Sequence, residues 1–258
     1  MSAPPPAPRR VALAALAHPD DAELLCAGTL IRLREEHGYD LHIATATAGD
    51  CGSIGRGPAE IAAVRREEGA AAAAAIGATY HCLGLMDLRV TYGDDGIRGF
   101  VDVMRAVNPT LVFTHPRQDY MIDHEQVHLL VRDACFGFPM PNLFPATRPP
   151  AGAAIPHLYY VDPLNGHDPY TGAPAPATTL IDIAGAVDRK AEMLACHASQ
   201  REWLREHHGM DEYLLAMRAH AAWRGEPLHT PAAEAFVQHR GHPFPADDLL
   251  TDLLAPKA

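Results

Sequence analysis

The stretch VALAALAHPDD, residues 11–21, joins an apolar run directly to three ionisable side chains. Seven consecutive apolar residues followed by a turn are typical of a buried strand, and the amphipathic run after the turn predicts a helix over residues 23–37. The sequence therefore predicts that His18, Asp20 and Asp21 lie at a strand-to-helix turn, where their side chains can converge.

Strand-like and helix-like segments alternate beyond this stretch. The predicted strands cover residues 11–17, 40–47, 79–83 and 110–114, and the predicted helices cover residues 23–37, 59–76 and 97–107, with another beginning near Asp123. This alternation is typical of βαβ units, which form a parallel sheet with right-handed crossovers. We therefore predict an α/β, Rossmann-like fold with a mostly parallel sheet flanked by helices. The loops 18–21, 47–57 and 115–124 should then meet at the sheet edge where ligands bind.

The domain organisation is predicted to be simple. The Pro/Ala-rich residues 1–9 cannot bury a core and are expected to form a disordered leader, followed by a single domain over residues 10–258. Residues 137–156 form a long Pro-rich loop that we expect to shape the mouth of a binding site. A mostly helical region from residue 183 and a proline-punctuated tail from Pro227 complete the expected layout.

Composition excludes several classes of protein. The formal charge of −11 opposes a nucleic-acid binder, which concentrates Lys and Arg to replace counterions. The five cysteines are scattered without a Cys-x-x-Cys pair, which indicates a reducing, cytoplasmic location. No apolar run approaches the ~20 residues that span a bilayer, so no membrane association is expected.

The turn at His18 has the side chains of a metal site. Zinc hydrolases use three ligands drawn from His and carboxylates, and His18 and Asp21 are close enough in sequence to point at one ion. Asp20 would face another direction and could accept a proton from a metal-activated water. The alternative is structural, because Asp20 or Asp21 could cap the following helix, with Glu23 completing a capping box.

A second segment, HEQVH at residues 124–128, supports a rival interpretation. On a helix, His-Glu-x-x-His is the zinc-binding pattern of a metallopeptidase, with His124 and His128 as ligands and Glu125 as the base. The context opposes this, since the segment follows a strand and loop of a parallel sheet and lacks the extended continuation of the motif. With Asp123 as the N-cap, His124 falls in the first helical turn and could complete the His18 site. A third interpretation, a non-catalytic nucleotide-binding module, lacks any glycine-rich phosphate motif after the first strand.

Several motifs together resemble the LmbE-like (PIG-L) deacetylase family. They are AHPDDAE at residues 17–23, TAGD at 47–50, Arg65-x-x-Glu68 before Gly77, and the segment from THP at 114–116 to Asp123-His124. The resemblance extends over about residues 10–135, with weaker similarity at residues 190–200. It implies a zinc enzyme, or one using another divalent metal such as Fe²⁺, that removes acyl groups from N-acyl sugars of the N-acetylglucosamine type. It leaves open a homo-oligomer.

By position, the resemblance implies roles for individual residues. The metal ligands would be His18, Asp21 and His124, and the general base would be Asp20. Asp123 precedes the metal His and would orient an imidazole. Arg65 falls where members of the family have a substrate-contacting Arg, the alternative being a surface charge on a helix.

One position departs from the family pattern. Many members have a His three residues before the metal His, and this chain has Met121 there. A thioether cannot protonate a leaving amine. The candidates to replace that His are His115, which we also place among the substrate-contacting or orienting residues, together with Tyr120, His128 and His239.

Overall fold

The computed structural model describes residues 10–201 and 212–255. The predicted leader, residues 1–9, lies outside them. The strands are β1 (Val11–Leu16), β2 (Asp40–Thr47), β3 (Thr79–Leu85), β4 (Leu111–Thr114), β5 (His157–Val161), β6 (Thr179–Asp182) and β7 (Ala233–Gln238). The described helices are α1 (Asp21–Leu25), α2 (Ala27–His37), α3 (Pro58–Ala75), α4 (Asp94–Val107), α5 (Ile122–Gly137), α6 (Val187–Ala195), α7 (Glu212–Gly225) and α8 (Leu249–Leu254).

The strands form one sheet in the order β3-β2-β1-β4-β5-β7-β6. The first five strands are parallel, and β7 pairs antiparallel with both β5 and β6. The predicted mostly parallel, Rossmann-like sheet is therefore confirmed. Because the order reverses around β1, the loops after β1 and β4 border the same crevice.

Strand β1 supplies apolar side chains to both faces of the sheet. Ala12, Ala14 and Leu16 pack into one core, and Leu13 and Ala15 pack into the other. This period of two places successive side chains on opposite faces, and burial on both faces requires an apolar residue at every position. The short apolar run therefore forms the centre of the sheet, and its end fixes the position of the turn that follows.

The helix after this turn begins earlier than predicted and is divided. Residues 21–25 form α1, Cys26 has φ −146°, and α2 restarts at residue 27. The division lets a distant carboxylate reach the second helix, since Glu234 of β7 accepts hydrogen bonds from the backbone N–H groups of Gly28 and Thr29. The sequence pattern predicted one continuous helix because this cap comes from far along the chain.

The C-terminal region contains more sheet than predicted. Residues 233–238 form β7, inserted between β5 and β6, where a proline-punctuated tail was expected. That prediction was wrong because Pro227 and Pro231 precede the strand rather than interrupt it.

In the described part of the chain, no helix has both the length and the apolar composition that crossing a membrane requires.

Candidate metal centre

Three side chains from two loops of the sheet edge face one another. His18 and Asp21 belong to the turn after β1, and His124 lies in the first turn of α5. Nδ1 of His18 lies 3.2 Å from Nε2 of His124. The Asp21 carboxylate lies 3.6 Å from each of these two nitrogens. All three side chains are buried, so the structure brings together the three ligands that the sequence analysis proposed.

A carboxylate lies behind each imidazole. Nε2 of His18 is 3.0 Å from Asp87, and Nδ1 of His124 is 3.0 Å from Asp119. A carboxylate on one ring nitrogen fixes the proton there, which leaves the other nitrogen as an electron-pair donor. With the ring protons on the outer nitrogens, the two nitrogens that lie 3.2 Å apart could both donate electron pairs to a cation.

The spacing of the donors fits a divalent transition metal. Zinc bonds to nitrogen and oxygen ligands of ~2.0–2.2 Å in a tetrahedron imply ligand-to-ligand distances of about 3.3–3.6 Å. The observed separations among His18, His124 and Asp21 are 3.2 Å and 3.6 Å. The donor set of two imidazoles and one carboxylate also matches the ligand types of catalytic zinc sites. These residues could therefore hold such an ion.

Sequence reasoning missed Asp87 and Asp119 as members of this site. Asp87 follows β3 and Asp119 lies in the loop after β4, so each emerges at the carboxyl edge of a parallel strand. That position was the available signal. Asp119 stood within a motif of the family resemblance, and no role was given to it.

His115 contacts a candidate ligand rather than the open cavity. Its Nε2 lies 3.1 Å from the Asp21 carboxylate and 3.0 Å from the backbone nitrogen of Ala17. Burial, together with the neighbouring His124, lowers the pKa of His115 to about 4, so the ring is neutral. Because His115 has no exposed surface and is absent from the cavity lining, it packs against Asp21 and does not face a substrate.

Asp20 lies beside the candidate ligands without joining them. Its Oδ2 accepts a hydrogen bond from Nη2 of Arg65 at 3.2 Å and another from the hydroxyl of Tyr213. Burial raises the pKa of the Asp20 carboxyl, and the Arg65 guanidinium opposes that effect. Asp20 precedes α1, but its side chain makes no capping hydrogen bond. The capping alternative therefore does not account for this carboxylate.

Arg65 is buried, which excludes the alternative of a helix-surface charge. Its Nη2 also donates to the carbonyl of Pro19 at 2.8 Å, and its Nη1 donates to the carbonyl of Gly49 at 3.3 Å. Gly49 has φ +66°, and a Cβ there would lie 1.9 Å from Nη1 of Arg65. A glycine at position 49 thus makes room for the guanidinium that holds the Asp20 turn.

Asp123 has a different role from the predicted N-cap. The N-cap of α5 is Met121, which makes no side-chain cap, so the prediction of Asp123 as the N-cap is wrong. The Asp123 carboxylate instead accepts hydrogen bonds from the backbone N–H groups of Leu88 and Val90 and lies 3.4 Å from Nε2 of His18. It connects α5 to the loop after β3 and faces the ring of His18.

The peptidase alternative is not supported by the positions of its residues. His128 donates from Nδ1 to the carbonyl of His115 at 3.0 Å, and its ring packs on Tyr160. Glu125 accepts from the backbone nitrogen of Asp119. Among the described residues, His128 belongs to none of the groups of side chains close enough to share a metal ion. The fold therefore assembles the site at His18, Asp21 and His124 and does not assemble the His-Glu-x-x-His site.

A cavity of about 530 Å³ opens onto the centre. Its described lining consists of His18, Asp20, Asp21, Leu24, Leu25, Cys51, Gly52, Arg65, Asp87, Leu88, Tyr120, Met121, His124, Leu164, Asn165, Gln200, Tyr213 and Ala216. Of the four candidates to replace the missing family His, only Tyr120 is in this lining. His239 bonds to Tyr160 elsewhere.

The long loop at residues 137–156 does not line the cavity, so the expectation that it shapes the mouth is wrong. Arg105 of α4 holds this loop by donating to five backbone carbonyls, those of Phe138, Met140, Leu143, Phe144 and Thr147. The loop therefore packs on the face of the sheet that α4 and α5 cover, where the buried guanidinium of Arg105 bonds these carbonyls.

The fold and the site define an α/β protein with a candidate cation centre at the carboxyl edge of a mostly parallel sheet. A model of the family described as PIG-L, GlcNAc-PI de-N-acetylase, matches residues 13–135. Over these residues the chain is similar to the PIG-L family. The matched segment contains the three candidate ligands, the carboxylates behind them and Asp20.

Known proteins share this architecture. The 4-oxalmesaconate hydratase of Pseudomonas putida is 29% identical over 201 residues, which make up 75% of this chain and 75% of the hydratase. The crystal structure of 4-carboxy-2-hydroxymuconate hydratase from Pseudomonas putida superposes with a TM-score of 0.72 at 23% identity, covering 90% of this chain and 97% of that one. The N,N'-diacetylchitobiose deacetylase from Pyrococcus horikoshii gives a TM-score of 0.75 at 21% identity, covering 93% of this chain and 88% of that one.

Proposed function

We propose that this chain is a metal-dependent amidohydrolase that removes an acyl group, acetyl in the simplest case, from the nitrogen of an N-acyl sugar or sugar conjugate. The observation that carries the proposal is the pair of facing imidazole nitrogens, 3.2 Å apart, with Asp20 beside them in the lining of one cavity. The similarity of residues 13–135 to the PIG-L family supports the same class of reaction.

His18, Asp21 and His124 would hold Zn²⁺, or another divalent ion such as Fe²⁺. When bound, such an ion acts as a Lewis acid towards a carbonyl oxygen and lowers the pKa of a water molecule to ~7. Asp87 and Asp119 keep the two imidazoles in the tautomers that such binding needs.

Asp20 would be the general base. It lines the cavity next to the ligands, and Arg65 and Tyr213 bind only its Oδ2 in the described residues. The carboxylate would accept a proton from the attacking water and return it to the nitrogen of the leaving amine when the C–N bond breaks. This return path needs no imidazole at the position of Met121.

The charge of the cavity favours an amide substrate. Three carboxylates, Asp20, Asp21 and Asp87, line it, and Arg65 is the only Lys or Arg in the described lining. The guanidinium is already bonded to Asp20, Pro19 and Gly49. An N-acyl sugar is neutral and its amine product is cationic, so neither is repelled by this wall.

Hydration of an unsaturated carboxylate is the second candidate. Two observations favour it: the 29% identity to 4-oxalmesaconate hydratase and the methionine at position 121, which leaves no imidazole for a departing amine. Both reactions begin with water deprotonated beside Asp20. They differ in whether an amine is released.

The test is a paired assay of the purified protein loaded with Zn²⁺ or Fe²⁺. One arm measures free-amine release from a panel of N-acetylated sugars and conjugates, and the other follows the ultraviolet absorbance of unsaturated di- and tricarboxylates. Amine release is expected. Loss of carboxylate absorbance without any amine release would replace the amidohydrolase proposal by the hydratase.

Two substitutions separate the proposed base from the peptidase base. Asp20→Asn is expected to lower kcat by about 10²–10⁴-fold, the range for a general base, with the metal retained. Glu125→Ala is expected to leave amine release within a few-fold of wild type. An active D20N beside an inactive E125A would contradict the assignment of Asp20.

A further inference from the structure

Tyr213 contacts the proposed base from a part of the chain that the family model does not cover. The tyrosine lies in the first turn of α7, 193 residues after Asp20, and its hydroxyl donates to Oδ2 of Asp20. Arg65 donates to the same oxygen at 3.2 Å. The two donors come from different helices, so together they restrain both the position and the rotation of the carboxylate.

Tyr213 and Arg65 restrain a residue, Asp20, whose backbone conformation is strained. Asp20 has φ 109°, which is the left-handed region that side chains other than glycine rarely adopt. Such conformations persist where the surrounding contacts hold them, and they are common at functional sites. The contacts here are the hydroxyl of Tyr213 and the guanidinium of Arg65, which also binds the carbonyl of Pro19.

Tyr213 also lines the cavity that contains Asp20 and the candidate ligands. Burial and the adjacent Asp20 carboxylate raise the pKa of its phenol, so it remains a neutral donor. A neutral donor orients a carboxylate without adding a second positive charge beside Arg65. This combination of geometry and chemistry suits a group that holds a base in one orientation.

We propose that Tyr213 is a positioning residue for the reaction, holding Oδ2 of Asp20 so that the other carboxylate oxygen, Oδ1, takes the proton of the attacking water. The inference rests on the proposed role of Asp20 as the base. Tyr213 acts through Asp20 and makes no contact with the reacting atoms in this proposal. The helix that carries it is therefore part of the catalytic apparatus, although it lies outside residues 13–135.

The test is Tyr213→Phe, which removes one oxygen and keeps the ring and its packing. We expect kcat to fall about 10- to 100-fold, the cost of a misplaced catalytic group, with KM and bound metal changed less than about 2-fold. The matched control is Tyr159→Phe. Tyr159 is a buried tyrosine outside the cavity lining, and its hydroxyl donates to Asp248 at 2.9 Å. Y159F should leave kcat unchanged.

A double-mutant cycle shows whether Tyr213 acts through Asp20. In the D20N background, Y213F should change the residual rate less than about 2-fold, because the oriented base is already gone. A full additional loss in D20N would assign Tyr213 an independent role and overturn the inference. A Y213F enzyme with wild-type kcat would also overturn the inference, whether or not its thermal stability is lowered.

The role of Asp20 and the role of Tyr213 can be refuted separately. If D20N is fully active, the proposed base is wrong, and the inference falls with it. If D20N is inactive while Y213F keeps the wild-type kcat, the proposed function stands and only the role of Tyr213 is refuted.

Discussion

Nδ1 of His18 and Nε2 of His124 lie 3.2 Å apart, and each ring has a carboxylate on its far nitrogen. The carboxylates of Asp87 and Asp119 favour ring protons on the outer nitrogens, which leaves the two inner nitrogens available to a metal ion. Both side chains are buried and line the same cavity. A cation between the two nitrogens would be bound by both rings, and its binding would stabilise the folded protein.

Removing the carboxylate behind His124 should weaken metal binding. Asp119→Ala takes away the partner that fixes the Nδ1 proton, and changes of this kind lower metal affinity about 10- to 100-fold. Competition with a metal-binding dye measures the affinity. The control is Asp133→Ala in α5, the helix that carries His124, since Asp133 accepts a hydrogen bond from the exposed Tyr92 hydroxyl away from the centre. An unchanged affinity in D119A would show that the orienting contact is unimportant.

Filling the space at Gly49 should displace Arg65 and disturb the Asp20 turn. Gly49→Ala adds a Cβ that would lie 1.9 Å from Nη1 of Arg65, and Gly38→Ala adds one at nearly the same φ with no atom within 4 Å. Both variants incur about 1–2 kcal/mol of left-handed backbone strain. Only G49A should also lower kcat. Equal kcat values in the two variants would argue that Arg65 does not support the base.

His128 should make the fold sensitive to mild acid. Burial lowers the pKa of His128 from 6.5 to about 4. Its Nδ1 donates to a backbone carbonyl, and its Nε2 has no hydrogen-bond partner among the described residues. The unfolded chain therefore binds a proton between these pH values that the folded chain does not. The stability due to a neutral His128 is complete above pH 6.5 and is lost as the pH falls towards 4.

The comparison uses urea unfolding of the wild type and His128→Met at pH 7.5 and pH 5. Wild type should lose about 2 kcal/mol more than the variant between the two conditions. The exposed His229, replaced by Asn, serves as the control and should follow wild type. Parallel losses in wild type and H128M would mean that His128 is charged in the folded protein.

The ion pair between Lys190 and Glu234 should be important for stability. Its atoms are 2.6 Å apart, and both side chains are 2% exposed. Lys190→Met leaves the carboxylate buried without its cation, which costs about 3–5 kcal/mol. Arg218→Met breaks an exposed pair with Asp188, and it should cost under about 1 kcal/mol. Denaturant midpoints for both variants check the contrast, and similar values would contradict it.

The sequence predicted four of the five parallel strands, β1 to β4, because their signals are local. A continuous apolar run such as residues 11–17 requires burial on both faces, and the amphipathic runs between such strands predict covering helices. Strand β7 lacks such a signal. Its place between β5 and β6 depends on antiparallel pairing with distant strands, and Glu234 caps α2 across more than 200 residues. Contacts of this kind have no local pattern.

The site shows the same division between local and distant information. His18, Asp20 and Asp21 could be singled out because chemistry-bearing residues crowd one predicted turn, and His124 because it begins a helix. Asp87 had only its position after β3 as a signal, and Tyr213 had none, since a single Asp after a strand and a Tyr in a helix have many ordinary explanations. Only the folded chain brings them to His18 and Asp20.

The most direct test of the central claim is anomalous diffraction from crystals of the protein purified without chelators and supplied with Zn²⁺, recorded on both sides of the zinc absorption edge. We expect one strong zinc peak bound by Nδ1 of His18, Nε2 of His124 and the Asp21 carboxylate, at bond lengths of ~2.0–2.2 Å. A peak bound by His128, or no zinc peak within reach of His18, would contradict the claim.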